Sequence, residues 1–145
     1  MSSIATFDVY YETRQEIPVS EIIEMYLANG WSFDDGGHIS LRPLGDKDDF
    51  DWVELELDQK NELYEIIKKK IEAGEDPAIV MHIPGEAIIT TFFPREKRID
   101  FLLMCRKRHP EQPAWTDVGW YIAFIYDPLV KNEVSVSRID FSETI

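Results

Sequence analysis

Hydrophobic and polar residues alternate with a period near two over several short stretches, and with a helical period over two longer ones. Residues 4–12 (IATFDVYYE) alternate in part and are rich in Tyr, Phe and Val, which predicts a first strand. Residues 20–30 (SEIIEMYLANG) predict a short helix. Ile22, Ile23, Tyr26 and Leu27 share one face, Ser20 can accept a hydrogen bond from a first-turn N–H, and Gly30 suits the left-handed closing position. Residues 31–33 and 38–41, joined by Asp34-Asp35-Gly36-Gly37, predict a hairpin. Residues 50–57 place acids between apolar positions, which predicts a strand with one exposed face. A second helix is predicted over 58–73, capped by Asp58 and ended by Gly74. Leu63, Ile66, Ile67 and Ile71 form its buried stripe, and Lys68, Lys69 and Lys70 read as a solvated end favoured by the helix dipole.

From residue 78 onward the pattern predicts strands. Residues 78–83 and 86–93 flank Pro84-Gly85, a tight-turn pair. Residues 99–106 (IDFLLMCR) have few polar positions, as a central strand would. Residues 115–126, dense in aromatic and β-branched side chains, read as a long strand, 127–132 as a hairpin loop and 133–141 as a last, half-exposed strand. The fold class expected is α+β: one domain over 1–145, a mostly antiparallel β-sheet of about seven to nine strands, and two helices packed on one face.

Charge changes the picture most. With 28 acids against 15 bases the formal net charge is −13. Nucleic-acid binding draws its affinity from phosphate neutralisation by Lys and Arg, so nucleic acid is not expected as a partner, nor is an anionic membrane. A basic protein partner is favoured, because complementary fields speed encounter. The one cysteine, Cys105, excludes an internal disulfide and suits a reducing compartment. With no secretory signal and no apolar run long enough to span a bilayer, a cytoplasmic location is expected.

The acids are concentrated. Residues 31–58 hold Asp34, Asp35, Asp46, Asp48, Asp49, Asp51, Glu54, Glu56 and Asp58 against Arg42 and Lys47, with Trp31 and Trp52 among them. The run from Asp46 to Asp51 lacks the ligand spacing of a calcium loop, since Phe50 and Leu57 stand where ligands are needed, so no metal and no cofactor is expected. His38, His82 and His109 form no zinc-ligand pattern. Phosphate-cradling glycine loops and the GxSxG nucleophile turn are absent.

No motif identifies a family. In size, charge and α+β pattern the chain resembles the small acidic immunity proteins that bacteria pair with secreted toxins. That resemblance implies a non-enzymatic inhibitor that neutralises a basic partner such as a toxin nuclease. The expected contact residues are Asp34, Asp35, Asp46, Asp48, Asp49, Asp51, Glu54, Glu56, Trp31 and Trp52. An alternative is a small-molecule-binding or hydrolytic domain with a pocket between sheet and helices, using His82, Cys105 or Tyr121. A third reading is a structural adaptor, forming a homodimer through the aromatic sheet face carrying Trp120 and Phe124.

Overall fold

The computed structural model describes residues 4–46, 51–103 and 116–144. The chain runs β1 (Ile4–Glu12), α1 (Val19–Ala28), β2 (His38–Leu41), β3 (Val53–Glu56), α2 (Lys60–Glu72), β4 (Ala78–Ile83), β5 (Glu86–Phe93), β6 (Arg98–Leu103), α3 (Val118–Val130) and β7 (Ser135–Thr144). A single turn of 3-10 helix, Pro94–Glu96, joins β5 to β6. The seven strands form one sheet in the order β3-β2-β4-β5-β6-β1-β7, with every neighbouring pair antiparallel. This is the expected α+β architecture, with three helices rather than two.

Alternation decides what each face of the sheet does. Phe7, Val9, Ile79, Met81, Ile88, Phe92, Ile99 and Phe101 point to one face, and the helices bury them there. The register carries this row by row: Phe7 lies opposite Phe101 on one side and Phe141 on the other. α1 touches both α2 and α3. Each contributes an apolar stripe to the same core: Ile22, Ile23 and Tyr26 from α1, Leu63 and Ile67 from α2, Tyr121, Ile125 and Leu129 from α3. Among the described residues no helix packs on the opposite face.

The largest correction concerns residues 115–126, read as a strand from their β-branched and aromatic content, and 127–132, read as a loop. Residues 118–130 are helical and 131–132 form a turn, residue 115 lies outside the described residues, and the aromatic sheet face assigned to this stretch as a dimer surface lies instead on α3. Propensity loses here to tertiary packing. Tyr121, Ile125, Pro128 and Leu129 recur at helical spacing and are buried, while Gly119, Ala123 and Tyr126 face outward. Asp117 caps the helix by accepting the Trp120 N–H at 3.3 Å.

Pro128 within α3 has a further consequence. It has no N–H, so the Phe124 carbonyl one turn back loses its helical donor. The Trp31 indole N–H donates to that carbonyl at 3.0 Å, and the Tyr26 hydroxyl donates to the neighbouring Ile125 carbonyl at 2.6 Å. Tyr26 and Trp31 meet edge to face at 4.9 Å, and both rings lean on Phe101 at 5.6 Å. The segment after α1 therefore does not form the expected hairpin arm. Ser32 instead bridges to His82 on β4, through N–O contacts of 2.9 and 2.6 Å.

Smaller corrections follow the same logic. Pro18 rather than Ser20 stands at the start of α1, and Gln59 rather than Asp58 at the start of α2. Lys70 is not solvated: it is buried, donating to the Pro43 carbonyl at 2.7 Å and to Glu75 at 2.9 Å. Glu75 also accepts the Gly45 N–H at 2.9 Å. The pair ties the loop after β2 to the end of α2, and Gly74 turns the chain there with φ of +78°.

Two substitutions that each remove a buried residue's hydroxyl should differ in their effect on stability. Tyr26→Phe removes a buried, well-made hydrogen bond and is expected to cost about 1–2 kcal/mol. Thr90 is buried on the core face, and its hydroxyl has no hydrogen-bond partner among the described residues. Thr90→Val is expected to be neutral or stabilising by up to about 1 kcal/mol. Urea unfolding of the two variants checks both signs.

Candidate functional site

The acidic stretch divides into buried and exposed parts. Trp31 is core, as its contacts above require. Asp46 is also buried, 3.6 Å from the Arg42 guanidinium, and accepts the Asp51 N–H at 3.3 Å. Neither is within a partner's reach. Asp48 and Asp49 lie outside the described residues. Asp34 is exposed and accepts the Gly37 N–H at 2.7 Å, closing the turn before β2. Asp51 is exposed and Trp52 half-buried.

What remains is an acidic edge. Among the described residues β3 is the last strand of the sheet on its side, paired only with β2. Leu55 sits opposite Ile39 and turns toward the core, so Glu54 and Glu56 project from the other face, opposite Ser40 and His38. Both are exposed, and Glu54 meets His38 at 3.0 Å. Behind them Asp35 accepts the Ser40 hydroxyl at 2.6 Å and pairs with His82 Nε2 at 2.9 Å. The Ser40 hydroxyl above all, with His82, holds the Asp35 carboxyl below the usual carboxylate range.

Ser40, Asp35 and His82 do not make a nucleophilic triad. The hydroxyl donates to the carboxylate rather than to the imidazole, so His82 is not placed to take its proton. His82 and Tyr121 lie on opposite sides of the sheet, Tyr121 buried against Phe7 with its hydroxyl donating to Glu86. Cys105, the third residue of the hydrolytic reading, falls outside the described residues. Among the described residues no group of three or more His, Cys, Asp or Glu side chains could hold a metal ion, and no helix is long and apolar enough to cross a membrane.

A second charged constellation occupies the uncovered face at the far end. The tetrapeptide Arg-Ile-Asp-Phe occurs twice, at 98–101 and 138–141. The two copies lie on β6 and β7, flanking β1 in matching register. One row across the sheet reads Asp100, Asp8, Asp140, and the next Arg98, Tyr10, Arg138. Arg98 reaches Asp100 at 2.9 Å and stacks on Phe93 at 4.0 Å. Arg138 reaches Asp140 at 3.1 Å and stacks on Tyr10 at 4.2 Å. Burial first, and then the hydrogen bond and charge of Asp8, push the Asp100 carboxyl up to about 6 against the pull of Arg98. The repeat itself was the signal in the sequence; it shows only when residues 98–101 and 138–141 are compared directly.

No protein-family model, curated protein or solved structure matches the chain.

The raised Asp100 carboxyl sets a pH dependence. A carboxyl that binds its proton more tightly in the fold contributes most below its ordinary value of 3.8, and that contribution is lost as pH rises through about 6. Asp100→Asn should therefore gain stability relative to wild type between pH 4 and pH 6, as the wild-type contribution fades. Unfolding midpoints of both proteins across this range measure the difference. Carbon-13 titration of the Asp100 carboxyl is expected to show an apparent pKa near 6.

Proposed function

We propose that the chain is a non-enzymatic protein-binding module that captures a basic protein through the acidic edge of its sheet. The observation that carries this reading is the outward projection of Glu54 and Glu56 from edge strand β3. Exposed Asp34 and Asp51 and half-buried Asp35 belong to the same acidic stretch. Carboxylates on an ordered edge with a fixed spacing make a preorganised field for Lys and Arg, raising the association rate more than the buried area alone would. A partner of the toxin-nuclease kind, itself basic because it grips phosphates, fits that field. The chain then acts as an inhibitor or immunity protein in a cell's own cytoplasm.

The test is capture from native lysate with wild type and an Asp34→Asn/Asp51→Asn/Glu54→Gln/Glu56→Gln variant. Wild type is expected to retain a basic protein, and the variant to associate with it about 10-fold more slowly, with a flatter salt dependence. Recovery of no basic partner, or a variant that binds as fast as wild type, overturns the reading.

A further inference from the structure

A cleft of about 330 Å³ opens at the start of α1, lined among others by Tyr11, Ile17, Pro18, Val19, Ile71 and Lys97. It shares Pro18, Val19 and Ile71 with a hollow of about 440 Å³ that continues past Ile67 and Tyr64 on α2. Together they form one trough with an apolar floor, within the size range of small-molecule sites. It lies on the helix-covered side of the sheet, with no residue of the acidic edge in its lining.

The polar groups at its inner end are donors. Tyr11 is only 5% exposed, lines the cleft, and its hydroxyl has no hydrogen-bond partner among the described residues. Burial, and then the Glu16 carboxylate, push the phenol up, so it keeps its proton. Lys97 donates one bond, to the Thr13 carbonyl at 3.2 Å, and an ammonium has two protons more. Pro18 stands at the N-cap of α1 and offers no side-chain acceptor. Its carbonyl takes the Glu21 and Ile22 N–H groups. The first-turn N–H groups of Val19 and Ser20 have no acceptor within the helix, and the helix dipole places positive charge there. The acids of the trough, Glu16 in the cleft and Glu65 and Glu72 along the hollow, are exposed.

We propose that this trough binds a small monocarboxylic acid with an apolar body, of the medium-chain fatty acid or aryl-alkanoic acid class. The carboxylate accepts from the Tyr11 hydroxyl, the Lys97 ammonium and the first turn of α1, and the body lies along Ile71 and Ile67. The donors select the headgroup: a phenol and an ammonium both donate, so an anionic acceptor pairs with them better than an alcohol or an amine does.

Octanoate is the probe, with octanol and octylamine as headgroup controls, titrated into the full chain by amide NMR. Octanoate is expected to shift the Val19 and Ser20 amides saturably. Octanol should bind about 10-fold more weakly, and octylamine should leave those amides unmoved. Tyr11→Phe and Lys97→Gln should each weaken octanoate about 5- to 10-fold. Tyr11→Phe removes a single atom, and matched thermal unfolding confirms that the variant folds. No saturable shift at Val19 and Ser20, equal affinity for octanoate and octanol, or unchanged affinity in both variants overturns the proposal.

Discussion

The bond from the Trp31 indole to the Phe124 carbonyl is the contact on which the helical layer depends. Pro128 removes the donor that carbonyl would have had, at a part-buried position where an unpaired acceptor is costly. Trp31 supplies the replacement, and in doing so fixes the chain that leaves α1. Tyr26 adds a second bond at the next carbonyl, that of Ile125. Two aromatic side chains from one end of α1 thus clamp α3 and lean together on Phe101 in the sheet. A proline that would weaken an isolated helix becomes the feature that specifies which helix lies beside it.

With that clamp made, the path of the next residues is constrained. Trp31 is drawn under the helices, so Ser32 follows to bridge β4 rather than pairing with β2. Asp35 then arrives at the open face beside Ser40 and His82. At the other end of β2 a buried ion pair does comparable work: Lys70 and Glu75 hold Pro43 and Gly45. A buried pair is a weak source of net stability, because desolvation offsets much of its attraction. Its value here lies in position, since breaking either partner would strand a charge beside the loop that carries Asp46.

These constraints explain which parts of the structure were legible in the sequence. β1, β4 and β5 follow from alternation and turn chemistry alone, because their short-range pattern and their long-range environment agree. α3 did not follow, because its composition favours a strand and only the buried spacing of Tyr121, Ile125 and Leu129 favours a helix. The acidic stretch was legible as charge but not as surface. Which carboxylates face water depends on Arg42 holding Asp46 inward and on the sheet register turning Glu54 and Glu56 outward. The twin Arg-Ile-Asp-Phe segments were present to be read, yet their meaning depends on β1 lying between them, a pairing across some 130 residues of sequence.

The one-sided layering also separates what the two faces can do. The open face presents charged side chains on strands whose spacing is set by the backbone, and the proposed capture of a basic partner would use the part of it at β3. The helical side holds Tyr11 and Lys97 in a trough that Ile17, Val19, Ile67 and Ile71 also line. Charge neutralisation at β3 leaves Tyr11 and Lys97 untouched, and removal of the Tyr11 hydroxyl leaves the acidic edge untouched. Phe101 and Tyr26 link the sheet to α1 in the core the two sites share, and Lys70 and Glu75 tie α2, whose Ile67 and Ile71 line the trough, to the loop after β2. A ligand at the first turn of α1 would act on the far edge by shifting α1 or α2 against these contacts, and the cost of displacing a helix in a well-packed core favours independence of the two sites.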